Sequence, residues 1–232
     1  MIHRTPFFIP WLYPSLKWRI PSQEKTLYLT FDDGPVPGPT EFALHSLGIF
    51  DAKATFFCIG DNVRKHPRVF EKIVEDGHAI GNHTFNHLNG WKTSVEKYID
   101  NVRQCEETIK AESGKLKFAD GVPRDAESLA DSLQVNAPMP NTLFRPPYGR
   151  ITRKQIKLLS KYSIVMWDVL SMDYNKFLSP ETCLRNTISA CRSGSIVVFH
   201  DSYKAERNMT YVLPRLMEHF VETGYTFKSM PS

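Results

Sequence analysis

Apolar runs of strand length alternate with helical periodicities from Thr26 to Lys228, and this alternation restricts the fold more than any other feature of the 232-residue chain. Strands are expected at Thr26 to Phe31, Ala54 to Ile59, His78 to Asn82, Leu143 to Arg145, Ile164 to Asp168, Ser195 to Phe199 and Tyr225 to Lys228. Helices are expected between them at Thr40 to Phe50, His66 to Asp76, Thr93 to Ala111, Thr152 to Tyr162, Pro180 to Cys191 and Tyr211 to Thr223. Strands separated by helices pair in parallel beneath their crossovers, so the fold class is α/β, as a closed barrel or a doubly wound open sheet. Five polar clusters follow the first, third, fourth, fifth and sixth strands: Phe31 to Pro35, His83 to His87, Arg145 to Gly149, Met172 to Tyr174 and Phe199 to Asp201. A barrel gathers such strand ends at one rim, whereas an open sheet spreads them along an edge, and this favours the barrel.

The length suits one domain over residues 1–232. Ser113 to Asn141, rich in Asp, Pro, Ser and Ala, breaks the rhythm. It is too long for an ordinary connection and is expected to form a surface insertion, with a helical turn around Ala126 to Leu133. A net charge of +4 with no dense Lys and Arg run gives no sign of a nucleic-acid partner. Cys58, Cys105, Cys183 and Cys191 lack the short paired spacing of a zinc-thiolate site and are expected to be free, buried thiols. The N-terminal run Phe7 to Leu12 is too short and too proline-broken for a secretory core, and no stretch approaches the roughly 18 apolar residues of a membrane span. A cytoplasmic location is expected of the sequence as given, with the cell envelope left open for a longer chain; the oligomeric state is not legible.

His83 and His87 are four residues apart, which on a helical turn aims both imidazoles from one face at a single metal. Asp33 is the natural third ligand, since two imidazoles and one carboxylate leave positions for water and substrate. No general base lies inside the histidine turn. The adjacent carboxylates Asp32 and Asp33 point in different directions as they leave the strand, so one can hold metal while the other takes a proton from water. Arg145 is placed to keep Asp32 ionised and aimed. Pro146 and Pro147 lack amide hydrogens, so the Tyr148 N–H is the first donor available to a developing oxyanion. His200, after an apolar strand, is suited to protonate a leaving amine, with Asp173 or Asp201 holding its ring.

These segments together resemble the NodB-homology polysaccharide deacetylases, carbohydrate esterase family four. The matching residues are Thr30 to Pro35, His83 to His87, Arg145 to Gly149 and Phe199 to Asp201, in the family's order, and the likeness runs from about Lys25 to Tyr225. The resemblance implies a distorted seven-stranded β/α barrel, a divalent metal, most often zinc, and hydrolysis of N-acetyl groups on amino sugars of chitin-like or peptidoglycan-like glycans. It makes Asp32 the base and Asp33, His83 and His87 the metal ligands. It makes Arg145 the orienter of Asp32, His200 the acid, Asp173 its tuning carboxylate, and Tyr148 with Pro147 part of the substrate site. The fourth cluster departs from the family pattern: Leu170 stands at the first aspartate position, Tyr174 replaces tryptophan, and Asp168 is a candidate compensating carboxylate. Trp91, Tyr148, Trp167 and Tyr174 are candidate sugar platforms, with Tyr148 preferred. An O-acetyl sugar esterase and a non-catalytic, metal-containing carbohydrate-binding protein are the alternatives.

Overall fold

A computed structural model describes residues 3–116 and 142–231. Its strands are β1 (Thr26–Asp32), β2 (Thr55–Cys58), β3 (Ala79–Asn82), β4 (Leu143–Phe144), β5 (Ser163–Ile164), β6 (Val169–Leu170), β7 (Ile196–His200) and β8 (Thr226–Phe227). All eight pair in parallel, in the order β5-β4-β3-β2-β1-β7-β6, with β8 against the start of β1. The helices are α1 (Ile9–Leu12), α2 (Pro39–Ile49), α3 (Gly60–Lys65), α4 (Pro67–Glu75), α5 (Val95–Leu116), α6 (Arg153–Leu158), α7 (Pro180–Ala190) and α8 (Glu206–Glu222). The result is an α/β barrel, as the strand-end clusters favoured, and distorted as the family resemblance implies.

β1 is the axis of the sheet and is buried along its whole length. Leu27, Leu29 and Phe31 pack outward into a core shared with α2, α4 and α8, where Leu47, Phe70, Leu213 and Phe220 meet them. Tyr28 points the other way, into an inner cluster with Phe57, Leu143, Val165 and Ile196. Phe31 is stacked between Phe56 and Phe199, with ring centroids 4.8 and 6.0 Å away. Burial of such a ring contributes about 1.5–3 kcal/mol.

Register matters more to function than packing does. Asp32 is level with Phe57 on one side and His200 on the other, Cys58 is level with Asn82, and Asn82 with Phe144. The residues that leave β1, β3, β4 and β7 therefore emerge at one height, which is why segments far apart in sequence meet at one rim.

Three expectations need correction. The strand expected over Ile164 to Asp168 is instead β5 and β6, separated by four residues whose backbone bonds to the N-terminal segment: the Met166 amide donates to the Lys17 carbonyl at 2.7 Å and the Thr5 amide to the Asp168 carbonyl at 2.8 Å. With Arg4 bridging Val169, Lys17 bridging Val165 and Arg19 bridging Ser195, that segment straps the seam between the two ends of the sheet. Local periodicity cannot register a partner some 150 residues away in the chain. Second, the expected helix boundaries shift: α3 was not anticipated, α8 begins at Glu206 rather than Tyr211, and α6 stops at Leu158. Third, Ser113 to Leu116 continue α5, so the insertion does not begin at Ser113; the helical turn expected at 126–133 lies outside the described residues. The four cysteines are free thiols, as expected, and no helix among the described residues is long and apolar enough to cross a membrane.

Candidate active site

The chain leaves β1 through Asp32 and then turns sharply, with Asp33 at φ 81°. The turn is pinned from two sides. Asn62 Nδ2 donates to the Asp33 carbonyl at 2.7 Å; on the other side the Gly34 amide donates to Asp201 Oδ1 at 3.0 Å, and the Thr40 hydroxyl to Asp201 Oδ2 at 2.6 Å. Gly34 is required here because a Cβ would lie 1.9 Å from Asp201 Oδ2. Asp201 thus serves the Asp33 turn, which resolves the alternatives left by the sequence: it does not hold the His200 ring. Its own carboxyl is pushed up to about 8 by burial and by the Asp33 charge, against the pull of its donors.

The His83–His87 segment is not the helical turn expected from its spacing. Thr84 and His87 both have positive φ, 63° and 55°, and the loop is held by asparagines. Asn82 Oδ1 accepts the Thr84 amide at 2.8 Å, and Asn101 Oδ1, reaching across from α5, accepts the amides of Phe85 and Asn86 at 3.0 and 2.9 Å. The coiled loop still brings the imidazoles together, with ring centroids 5.1 Å apart. His83 Nδ1 is 2.8 Å from the Arg145 carbonyl, which can only accept, so Nδ1 carries the proton and Nε2 keeps its lone pair. Full burial drives the His83 pKa down to about 4, leaving the ring neutral at pH 7.

Asp33 Oδ1 lies 3.7 Å from His83 Nε2 and 3.1 Å from His87 Nε2, and the ligand atoms of the three residues all fall within 4.8 Å of one another. Asp33 Oδ1 is buried with no donor in hydrogen-bond alignment. Burial opposes its charge, but the His87 ring beside it and the His200 imidazolium outweigh that and hold the carboxyl well below the usual range. An orphaned carboxylate oxygen facing a neutral imidazole lone pair is a poor hydrogen-bonding arrangement and a good cation site. These three residues have the donor types and the spacing to hold a divalent metal with positions left open.

Asp32 is level with this cluster and salt-bridged to Arg145, Nη1 to Oδ1 2.7 Å, with both side chains buried. The guanidinium is fully enclosed. Its Nη1 also donates to Thr30 Oγ1 at 2.7 Å, Nη2 to the Met166 carbonyl at 2.9 Å and Nε to the Val165 carbonyl at 3.3 Å, while Phe57 lies under its plane at 4.1 Å. Every donor direction but one edge is committed, so Asp32 has a single orientation.

Across β1, Asp173 grips His200 with both oxygens: Oδ1 is 2.8 Å from Nδ1, and Oδ2 accepts the His200 amide at 2.8 Å. Burial disfavours imidazolium, but Asp173, reinforced by Asp33 and Asp32, raises the His200 pKa to about 9. Tyr174 sets its ring edge against His200 at 4.9 Å. Asp168 is no substitute for the carboxylate that Leu170 replaces. It binds the Ser195 hydroxyl at 2.6 Å and faces Arg192 and Arg4, anchoring the N-terminal strap.

Pro147 is buried, and Tyr148 follows it at φ 60° with its side chain exposed and its ring 4.6 Å from that of His87. Of the other candidate platforms, Trp91 is exposed and Trp167 packs partly into the core. The sequence pointed to no role for Thr40, Asn62 or Asn101, nor to the bond from Arg145 to Thr30; these are visible only as contacts between distant segments.

The polysaccharide deacetylase family model matches residues 19–119, which include both aspartates and both histidines. A peptidoglycan-N-acetylglucosamine deacetylase of Bacillus cereus is 30% identical over 90% of this chain and 88% of its own length. A chitooligosaccharide deacetylase of Azorhizobium caulinodans is 31% identical, over 79% of this chain and 77% of its own. The crystal structure of a peptidoglycan N-acetylglucosamine deacetylase superposes with a TM-score of 0.79 at 27% identity, over 98% of this chain and 95% of that one. With the relatives and the fold in agreement, the chain belongs to the NodB-homology polysaccharide deacetylases, carbohydrate esterase family four.

Proposed function

We propose that this protein hydrolyses N-acetyl groups from amino sugars of a glycan, with Asp33, His83 and His87 holding a divalent cation, zinc by preference for this donor set. The observation that carries the reading is the placement of two groups at one height of the sheet: an arginine-clamped carboxylate at Asp32 and an imidazole paired with a carboxylate at His200. Relatives named as deacetylases of peptidoglycan and of chitooligosaccharides support it. A cation bound there supplies Lewis acidity toward the acetamide carbonyl and makes a neighbouring water easier to deprotonate. Asp32, held in place by its pair with Arg145, takes the proton from the attacking water. The Tyr148 amide faces the oxygen of the acetyl group as negative charge develops on it. His200 stays protonated at neutral pH and delivers its proton to the departing amine, which cannot leave as an anion.

Acetate release from N-acetylated oligosaccharides by metal-loaded protein, with Asp32→Asn as control, tests the proposal. Release by the wild type alone is expected; release only from O-acetylated sugars would reassign the site to an esterase, and none from either would favour a binding protein.

A further inference from the structure

The two histidines of the candidate metal site are held by different means. His83 is fixed through its ring: Nδ1 donates to the Arg145 carbonyl at 2.8 Å, and the side chain is only 3% exposed. His87 lacks that support. Its side chain is 25% exposed, its ring rests beside those of Tyr148 and His83 with centroids 4.6 and 5.1 Å away, and among the described residues no hydrogen bond reaches its Nδ1. The direction of its Nε2, 3.1 Å from Asp33 Oδ1, is therefore set by the backbone that carries it.

That backbone is in a conformation that residues with a side chain avoid, φ 55° at His87 and 63° at Thr84, and such a conformation persists only where its surroundings hold it. Two bonds flank His87. The Leu88 amide donates to Thr84 Oγ1 at 3.1 Å, inside the loop, whereas the Asn86 amide donates to Asn101 Oδ1 at 2.9 Å and so ties the turn to α5. Asn101 Oδ1 also takes the Phe85 amide at 3.0 Å, its backbone carbonyl faces the same amide at 3.1 Å, and its Nδ2 donates back to Asn86 Oδ1 at 2.9 Å. Backbone amides only donate, so the atom on which they converge is the oxygen, and the side chain has one orientation. Asparagine is a weak helix former and costly to bury, yet Asn101 stands within the 22-residue α5 at 8% exposure. The bonds it makes outside its own helix account for its place there.

We infer that Asn101 is a positioning residue for the metal site, setting the affinity for a divalent cation by holding His87 in its left-handed conformation. The inference rests on the reading of Asp33, His83 and His87 as metal ligands. The other anchors of the loop serve its earlier residues: the Gly60 and Asp61 amides of α3 donate to the Thr84 and Phe85 carbonyls at 3.1 and 3.0 Å. These remain when the Asn101 amide is lost, so the loop stays attached while the turn at Asn86 and His87 relaxes to negative φ and carries the imidazole away from Asp33.

Zinc affinity, measured by competition with a chromophoric chelator, tests this without turnover. Asn101→Leu, similar in size and without the acceptor, is expected to weaken zinc binding about 10- to 100-fold, the usual effect of losing a group that orients a ligand. Asn101→Asp keeps the acceptor for both amides and is expected to recover most of that loss. Asn86→Ala, at an exposed position, removes only the return bond from Asn101 Nδ2 and is expected to weaken zinc about two- to tenfold. The double variant separates positioning from general loosening. In a His87→Ala background, Asn101→Leu is expected to cost no further zinc affinity, because the residue it positions is gone. Asn86→Ala carries the same comparison where Asn101→Leu does not fold. Wild-type affinity in Asn101→Leu, or an equal further loss with His87 already absent, would overturn the inference. Wild-type protein that binds no zinc would instead refute the ligand assignment on which it rests.

Discussion

Asp173 holds His200 by two bonds of 2.8 Å, one to the ring Nδ1 and one to the backbone amide, so the carboxylate fixes both the charge and the position of the imidazole. The proton that matters is then on Nε2, aimed away from Asp173. Because the folded pKa is raised to about 9 from an ordinary 6.5, this pair also stabilises the fold fully below about pH 6.5, and that contribution is lost as pH rises toward 9. With His200 as the proposed acid, turnover requires the protonated ring, so kcat/KM should fall on the alkaline side near pH 9. Asp173→Asn removes the charge that opposes desolvation and should move that limb down by about one to two pH units. A pH–rate profile of the two proteins checks this; an unmoved limb would mean another group sets it.

The metal assignment makes separable demands on three residues, His83, His87 and Asp32. His83→Ala and His87→Ala should each leave bound metal well below one equivalent after dialysis, because two remaining ligands do not hold a divalent cation firmly. Asp32→Asn should retain full metal and lose activity by about 10²–10⁴-fold, as expected on loss of a general base. Metal content by elemental analysis beside acetate release decides it; metal retained in both histidine variants would exclude these ligands.

Gly34→Ala tests how the Asp33 turn is held. A methyl group would collide with Asp201 Oδ2 at 1.9 Å, so the turn and the carboxylate cannot both remain. The variant should lose about 1–3 kcal/mol of stability, the usual cost of overpacking, and should bind metal weakly because Asp33 is displaced. Asp201→Ala leaves the Gly34 amide and the Thr40 hydroxyl without their acceptor and should weaken metal binding in the same way. Denaturant unfolding with and without metal checks both, and metal affinity equal to wild type in both variants would refute this role.

The parts of the site that the sequence disclosed are those built from contiguous residues at a strand end: Asp32 with Asp33, His83 with His87, Arg145 with Pro146 and Pro147. Each is written locally because a strand, its exit and the next few residues share one environment. What was hidden depends on distant partners. The histidine spacing suggested a helix, yet Asn82 and Asn101 wind that loop through two positive-φ residues, and no local pattern announces an acceptor sixteen residues away on another helix. Ile164 to Asp168 looked like one strand because it is apolar up to Trp167, and only the return of Arg4, Thr5 and Lys17 to the seam divides it. Asp201 beside His200 suggested a ring partner, but successive residues leaving a strand face opposite sides, so His200 meets Asp173 while Asp201 meets Gly34.

Arg145 is the position where function and stability are least separable. It is the largest fully buried side chain among the described residues, and it ties together Thr30, Asp32, Val165 and Met166, which come from β1 and from the connection between β5 and β6. A lysine would bring the charge but not the planar fork, leaving at least one of the two carbonyls and the Thr30 hydroxyl without a donor. Arg145→Met would go further and leave Asp32 as an uncompensated buried charge, a loss of about 3–5 kcal/mol where a buried pair is broken from one side. The double variant Arg145→Met with Asp32→Leu removes both charges and should recover much of that stability without activity. Urea unfolding of the three proteins checks the argument: if the double variant is no more stable than Arg145→Met, the guanidinium serves chiefly to bridge the backbone segments rather than to balance Asp32.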